Sequence, residues 1–422
     1  MADMNIAKAP PGSTVLPFYA TAAVAFSTLC VLMLLGIESL TTHYFNPHLL
    51  TIVHTAALGW GTMIIFGSAH QLLPVICEQD LYSPRLASFC WYTLTAGTLL
   101  LASSFWNFRT GWRMIGGGLL IVIASIAFFL NAAFTSRRCI RYSTTRLFIL
   151  SSSAWLVLTV TVGLLLAINL HHPFFSKNHL EILKLHAHAG LGGWFLQLIA
   201  GVSSKLVPMF LLGKSTKGKW LRAAFFLQNA GLILFLCDGY FSGIVAARVI
   251  VYATLVAAGI ACWMIFLFDA FQHRVRRKID TLMKHTFVSF LCLVMALLTL
   301  PLVLFAKGYH FTILYGALLF MGWITGIILG KTFKTLPFIV WNSQYKSLSG
   351  KAKIPLPKQL YRESLVKYQF VLYITGIISL AAGVLTQNIF LLRFASIVWV
   401  SLSAIYLVNV MKVLLHKNKT VP

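Results

Sequence analysis

Two histidines stand in matched positions along this chain. His54 and His188 each lie six residues before a tryptophan of a Gly-Trp pair and twenty residues before a proline, Pro74 and Pro208 respectively. Imidazole titrates nearest neutrality and is the commonest metal ligand, and it also holds haem iron. Two imidazoles in the same register of two similar segments form a candidate ligand set. Two further histidines widen it. His186 is two residues before His188, so on a regular helix the two rings point about 200° apart and cannot share one metal. Either they serve two centres, or one faces a centre and the other a neighbouring helix. His310 lies near a third similar segment, seven residues before Ala317, which holds the place of His54 there.

The segments behind these positions share a skeleton. GWGTMIIFGSAHQLLP runs from Gly59 to Pro74, GWFLQLIAGVSSKLVP from Gly193 to Pro208, and GWITGIILGKTFKTLP from Gly322 to Pro337. Seven residues turn a helix by about 700°, so Trp60, Gly67 and Pro74 fall near one stripe. A small residue in such a stripe lets a neighbouring helix approach closely. The proline ends or bends the helix. The tryptophans read as packing residues, not as catalytic ones. The matched histidines should sit at the opposite end of each helix from the proline, about 30 Å away at 1.5 Å per residue.

Composition says what these helices are embedded in. Of 422 residues, 59% are hydrophobic and only 10% charged, against about 25% charged in soluble domains. An integral membrane protein is expected almost throughout. Spans of roughly 20 apolar residues are read at 14–37, 48–76, 86–105, 112–134, 146–170, 182–212, 220–237, 243–270, 282–306, 310–340, 366–386 and 390–414. The skeleton falls in the second, sixth and tenth. Pro74, Pro208 and Pro337 are 134 and 129 residues apart, the length of four spans with loops. The chain therefore reads as one integral membrane domain, all-α, with about twelve transmembrane helices in three pseudo-repeats of four, near 14–134, 146–270 and 282–414.

The net charge of +25 does not point to nucleic acid. Its basic residues cluster between spans, in every second loop: Arg137, Arg138, Arg141 and Arg146; Lys214, Lys217, Lys219 and Arg222; Arg274, Arg276, Arg277 and Lys278; Lys346, Lys351, Lys353 and Lys358. This is the positive-inside pattern. It puts both termini in the cytoplasm, with Lys412, Lys417 and Lys419 at the C-terminal end, and fits a bacterial inner membrane. The first span is too long for a cleavable signal. The seven cysteines form no CxxC pair and read as small apolar residues.

Nine of the thirteen histidines then fall in the outer half: His43, His48, His54, His171, His172, His179, His186, His188 and His310. His70, His273, His285 and His416 lie on the inner side. Chemistry near the outer face is expected. His171, His172 and His179 share an outer loop, where solvated histidines are the commoner case and copper or zinc the rarer. Arg109, Arg113 and Arg393 are outer cations, suited either to interfacial snorkelling or to the propionates of a haem.

Twelve helices in three units of four, with the strings HTAALGWGTMIIFG and HAHAGLGGWFLQLIAG carrying histidines in the second and sixth, resemble subunit I of the haem–copper oxidase superfamily. In style the chain is similar to short oxidase-subunit-I-like proteins and to the NnrS family of haem- and copper-containing membrane proteins. The resemblance implies a haem, of b type, with His54 as an axial ligand. It implies that His188 or His186 matches a copper ligand, and leaves the second axial position to His186 or His310. A membrane or periplasmic redox partner would follow. The chain departs from the oxidase pattern in two places: the seventh span has no histidine, and the tenth has His310 alone. The full oxygen-reducing set is absent, and acidic residues number only nine. The functional expectation is a haem-binding redox or nitric-oxide-response protein. A transporter and a non-catalytic structural subunit are the competing classes.

Overall fold

In hydrocarbon, a backbone polar group without a partner costs several kcal/mol, so a long apolar run must close its own hydrogen bonds as a helix. The computed structural model describes residues 8–137, 139, 143–306, 308–349, 351 and 353–417. Arg138, Arg141 and Lys419 of the basic segments lie outside them. Twelve helices among the described residues are long and apolar enough to cross a membrane: α1 Gly12–Leu35, α2 Pro47–Cys77, α3 Pro84–Trp106, α4 Trp112–Arg137, α5 Thr144–His171, α6 His179–Leu211, α7 Gly218–Phe241, α8 Ala246–Gln272, α9 Thr281–Phe305, α10 Tyr309–Leu348, α11 Glu363–Thr386 and α12 Ile389–Leu414. No strand occurs among the described residues.

Side-chain caps set several of the starts. Asn46, Asn178 and Asn388 accept from backbone N–H groups of the first turns of α2, α6 and α12, and Ser143 and Asp280 do so for α5 and α9. Short polar side chains at this position satisfy donors that the helix cannot. The proline expectation holds unevenly. Pro74 and Pro208 lie three residues before the ends of α2 and α6, but Pro337 sits well inside α10, which runs on to Leu348. Proline removes one N–H donor, a loss that packed transmembrane helices tolerate.

The three skeleton helices are not uniform α-helices. Each widens into a π segment over the Gly-Trp pair: Thr55–Thr62 in α2, Ala189–Leu196 in α6 and Leu318–Ile324 in α10. Such i→i+5 turns are rare and gather at functional sites. They also break the regular seven-residue stripe, because the angular count restarts across each bulge.

The skeleton glycines explain how the long helices are seated. A Cβ on Gly67 would lie 2.7 Å from Phe18 Cβ of α1, one on Gly201 would lie 2.4 Å from Phe148 Cβ of α5, and one on Gly330 would lie 2.7 Å from the Leu282 carbonyl and 3.1 Å from His285 Cβ of α9. The upper glycines Gly59, Gly193 and Gly322 meet Ala25, Trp155 and Cys292 in the same way. Each upper contact is seven residues beyond the lower one on its helix: Phe18 and Ala25, Phe148 and Trp155, His285 and Cys292. Backbone approaches backbone at both points, as small residues permit.

The chain forms two compact units. One comprises Met1–Lys8, Leu73–Thr93 and Thr110–Ile279; the other comprises Ala9–Leu72, Leu94–Arg109 and Asp280–Pro422. In the first, Cys77 and Cys139 form a disulfide across 62 residues of sequence. This corrects the reading of all seven cysteines as isolated small residues. No local spacing announces a pair that only the fold brings together. Cys30, Cys90, Cys262 and Cys292 are buried thiols, and Cys237 is exposed.

Candidate functional site

His54 is the last residue before the π segment of α2, and its Nδ1 lies 2.7 Å from the Leu50 carbonyl one turn back. His188 is the last residue before the π segment of α6, and its Nδ1 lies 2.8 Å from the Lys184 carbonyl. Ala317 is the last residue before the π segment of α10. A carbonyl can only accept, so Nδ1 carries the proton and Nε2 carries the lone pair in both rings. A ligating histidine commonly has its other nitrogen tied to a carbonyl in this manner, which fixes the tautomer and the ring orientation. Both rings lie against aromatic faces, His54 4.7 Å from Phe105 of α3 and His188 5.2 Å from Phe235 of α7. With Nδ1 so tied, each residue would have one nitrogen, Nε2, to offer a metal. His54 belongs to one compact unit and His186 and His188 to the other.

His186 takes another course. Its Nδ1 lies 2.9 Å from the Thr159 carbonyl of α5, and a Cβ on Gly163 would come within 2.8 Å of its Cε1. The ring is seated against α5, whereas that of His188 meets α7. The two do not share a face, as their spacing requires. His310 stands at the first turn of α10, where Gln387 Nε2 donates to its Nδ1 at 3.1 Å. That bond leaves the proton of the neutral ring on Nε2, the opposite tautomer from His54 and His188.

Asn169 bonds His179 Nδ1 at 3.2 Å, while His171 and His172 pack ring to ring at 4.3 Å. Among the described residues no group of three or more His, Cys, Asp or Glu is arranged to hold a metal ion. Arg393, Glu38 and His48 line a cavity of about 430 Å³ at the end of α1, together with Leu34–Ile37. The His48 ring stacks on Trp106, 4.2 Å away.

Two polar groupings escaped the sequence reading. His285 is fully buried. Its Nδ1 lies 3.0 Å from the Thr281 carbonyl, Gln369 Nε2 of α11 donates to its Nε2 at 3.1 Å, and its ring stacks on Tyr373. The Tyr373 hydroxyl donates to the Gly322 carbonyl within the third π segment at 2.5 Å. The other grouping is Lys334, paired with Asp280 at 2.6 Å, and Lys331, whose Nζ lies 3.4 Å from Met283 Sδ. A glutamine in the apolar run of α11 and two lysines inside the third skeleton were the available signals, since polar residues within a span are rare and tend to be functional. The tryptophans are packing residues: Trp60 is stacked on Phe26 at 4.5 Å and bonds Thr325 Oγ1 at 3.0 Å.

The architecture is that of a multi-pass membrane protein, with twelve helices among the described residues long and apolar enough to span. No protein-family model and no curated protein sequence matches the chain.

Proposed function

We propose that this is a haem-binding membrane protein in which His54 and His188 are axial-ligand candidates. The carrying observation is their common setting, each at the mouth of a π segment with Nδ1 tied to the carbonyl four residues back. The resemblance to subunit I of the haem–copper oxidases and to the NnrS family supports the reading. The same reading has both termini in the cytoplasm of a bacterial inner membrane, which the basic loops support.

When bound, a haem supplies one-electron chemistry at its iron. The chain's own part is to present Nε2 in a fixed tautomer, to hold the ring against Phe105 or Phe235, and to keep water away with the surrounding apolar helices. The role in this reading is redox transfer or nitric-oxide response, with a membrane or periplasmic redox partner. His186 stays as a candidate for a second ligand, and His310 does so once Gln387 releases its Nδ1. Copper belongs to the proposal only as a second metal bound by His186 or His188. Absorption spectra with haem and metal analysis of the purified protein test the reading. Protein purified from cells amply supplied with haem but carrying none would overturn it, and a transporter or structural subunit would then lead.

A further inference from the structure

The cavity at the end of α1 stands apart from the haem proposal. All of its lining residues belong to one compact unit. Leu35 closes α1, Glu38 lies in the short helical turn Ile37–Leu40 that follows, His48 is the second residue of α2, and Arg393 sits one turn into α12. Three spans therefore end or begin around the cavity, which sets it at the boundary between hydrocarbon and headgroups. The His48 ring stacks on Trp106, the last residue of α3, and tryptophan favours that level. A small residue shapes the wall: a Cβ on Gly36 would lie 3.2 Å from His48 Cβ. The space, about 430 Å³, falls within the range of small-molecule pockets.

Its charges are of both signs. Glu38 and Arg393 line the same cavity and are both exposed, and among the described residues neither closes an ion pair with the other or with a third group. A carboxylate offers acceptors only and a guanidinium donors only. A guest that satisfies both must carry an anionic and a cationic end. A dianion such as the propionate pair of a haem would be repelled by Glu38, and a bare metal ion by Arg393. A phosphate ester with a primary ammonium answers both ends: its oxygens suit the guanidinium fork, and its N–H donors suit the carboxylate. Two features favour a lipid as the source of that chemistry. The cavity is at headgroup level, and apolar side chains beside it face outward. Leu35 in its wall is 65% exposed, and Phe390 and Phe394, on either side of Arg393 in α12, are 76% and 51% exposed. The acyl chains of a seated headgroup would cover such surface.

We infer that this cavity binds the headgroup of a zwitterionic phospholipid with a primary ammonium, the phosphate toward Arg393 and the ammonium toward Glu38. The test is native mass spectrometry of the full-length protein, delipidated in detergent and titrated with dioleoyl phosphatidylethanolamine, phosphatidylcholine or phosphatidylglycerol. An exposed charge pair supports a difference of up to about fivefold. A preference of that order is expected in the wild type for the ethanolamine lipid over the glycerol lipid, which lacks the ammonium, and over the choline lipid, whose ammonium has no N–H. Glu38→Gln is expected to remove the preference. Arg393→Gln is expected to weaken all three lipids, and Arg393→Lys to restore them, since a point charge also holds a phosphate. The ratio between lipids is read within one variant, so a general loss of stability does not imitate its change. A wild type without the ethanolamine preference overturns the inference, as does a preference that Glu38→Gln leaves intact. Free O-phosphoethanolamine that displaces the lipid at equal concentration would overturn the lipid assignment, because a soluble phosphate ester would then be the guest.

Discussion

His54 Nδ1 lies 2.7 Å from the carbonyl oxygen of Leu50. This bond decides which nitrogen of the ring can bind a metal, because a carbonyl takes only the protonated one. The ring enters the π segment with its lone pair on Nε2. His188 repeats the arrangement with Lys184. A side chain of similar reach that carries an amide has no basic nitrogen to offer and should therefore fail as a substitute. His54→Gln is expected to lose bound haem as completely as His54→Ala, measured as pyridine-haemochrome content per protein. Haem content unchanged in His54→Gln would mean that the residue only packs.

The glycine contacts predict sharp position dependence. Gly201→Ala sets a methyl group 2.4 Å from Phe148 Cβ, whereas Gly116→Ala meets no atom within 4 Å. Overpacking costs about 1–3 kcal/mol, and an open helical glycine gains from alanine by up to about 1 kcal/mol. Thermal unfolding in detergent should show Gly201→Ala lowered and Gly116→Ala unchanged or raised. Equal melting temperatures would contradict the close seating of α6 on α5.

Gln369→Leu removes the donor to His285 Nε2 and leaves a buried ring nitrogen without its partner on α11. Leaving a buried acceptor open costs about 1–3 kcal/mol. A lower melting temperature is expected, with recovery when His285→Phe is added, since removing both polar partners together can be nearly neutral. A double variant no more stable than Gln369→Leu would show that the pair is not coupled.

Cys77 and Cys139 are joined, on the side of the basic loops that the charge pattern assigns to the cytoplasm. Cytosolic disulfides are usually transient. Maleimide labelling of denatured protein, mapped to individual cysteines, should find Cys77 and Cys139 after reduction and neither after mild oxidation, while the buried thiols Cys30, Cys90, Cys262 and Cys292 label in both. The exposed Cys237 should label under both conditions unless oxidised on its own. Cys77 and Cys139 that both stay reactive after oxidation would contradict the pairing. A reporter fused to the C-terminus reads the same face independently: cytoplasmic signal is expected, and periplasmic signal would reverse the topology.

Much of this was legible in the residues. Apolar runs gave all twelve spans with ends displaced by a few residues, except that α10 runs eight residues beyond its expected end to Leu348, since a span's length is dictated by the bilayer and its start by caps such as Asn178 and Asp280. The Gly-Trp skeleton foretold the close helix contacts, because only a missing side chain allows them. The π segments were not legible: a wider turn leaves the residue types unchanged and alters only their hydrogen-bond partners. Neither was the disulfide, whose partners are brought together by tertiary folding, nor the cavity lined by Glu38 and Arg393, which come from distant parts of the chain. His186 and His188 illustrate both sides. Their two-residue spacing told that they diverge, but not that His186 would find Thr159 and His188 Phe235.

The most direct measurement of haem ligation is the reduced-minus-oxidised spectrum of the full-length protein, purified from membranes of cells supplied with haem. It should be recorded for the wild type, His54→Ala, His188→Ala and the double variant at matched protein concentration. The wild type is expected to show Soret and α bands that weaken or shift in each single variant and vanish in the double. Bands that persist at full intensity in the double variant, or a wild type with none, would contradict ligation by these histidines.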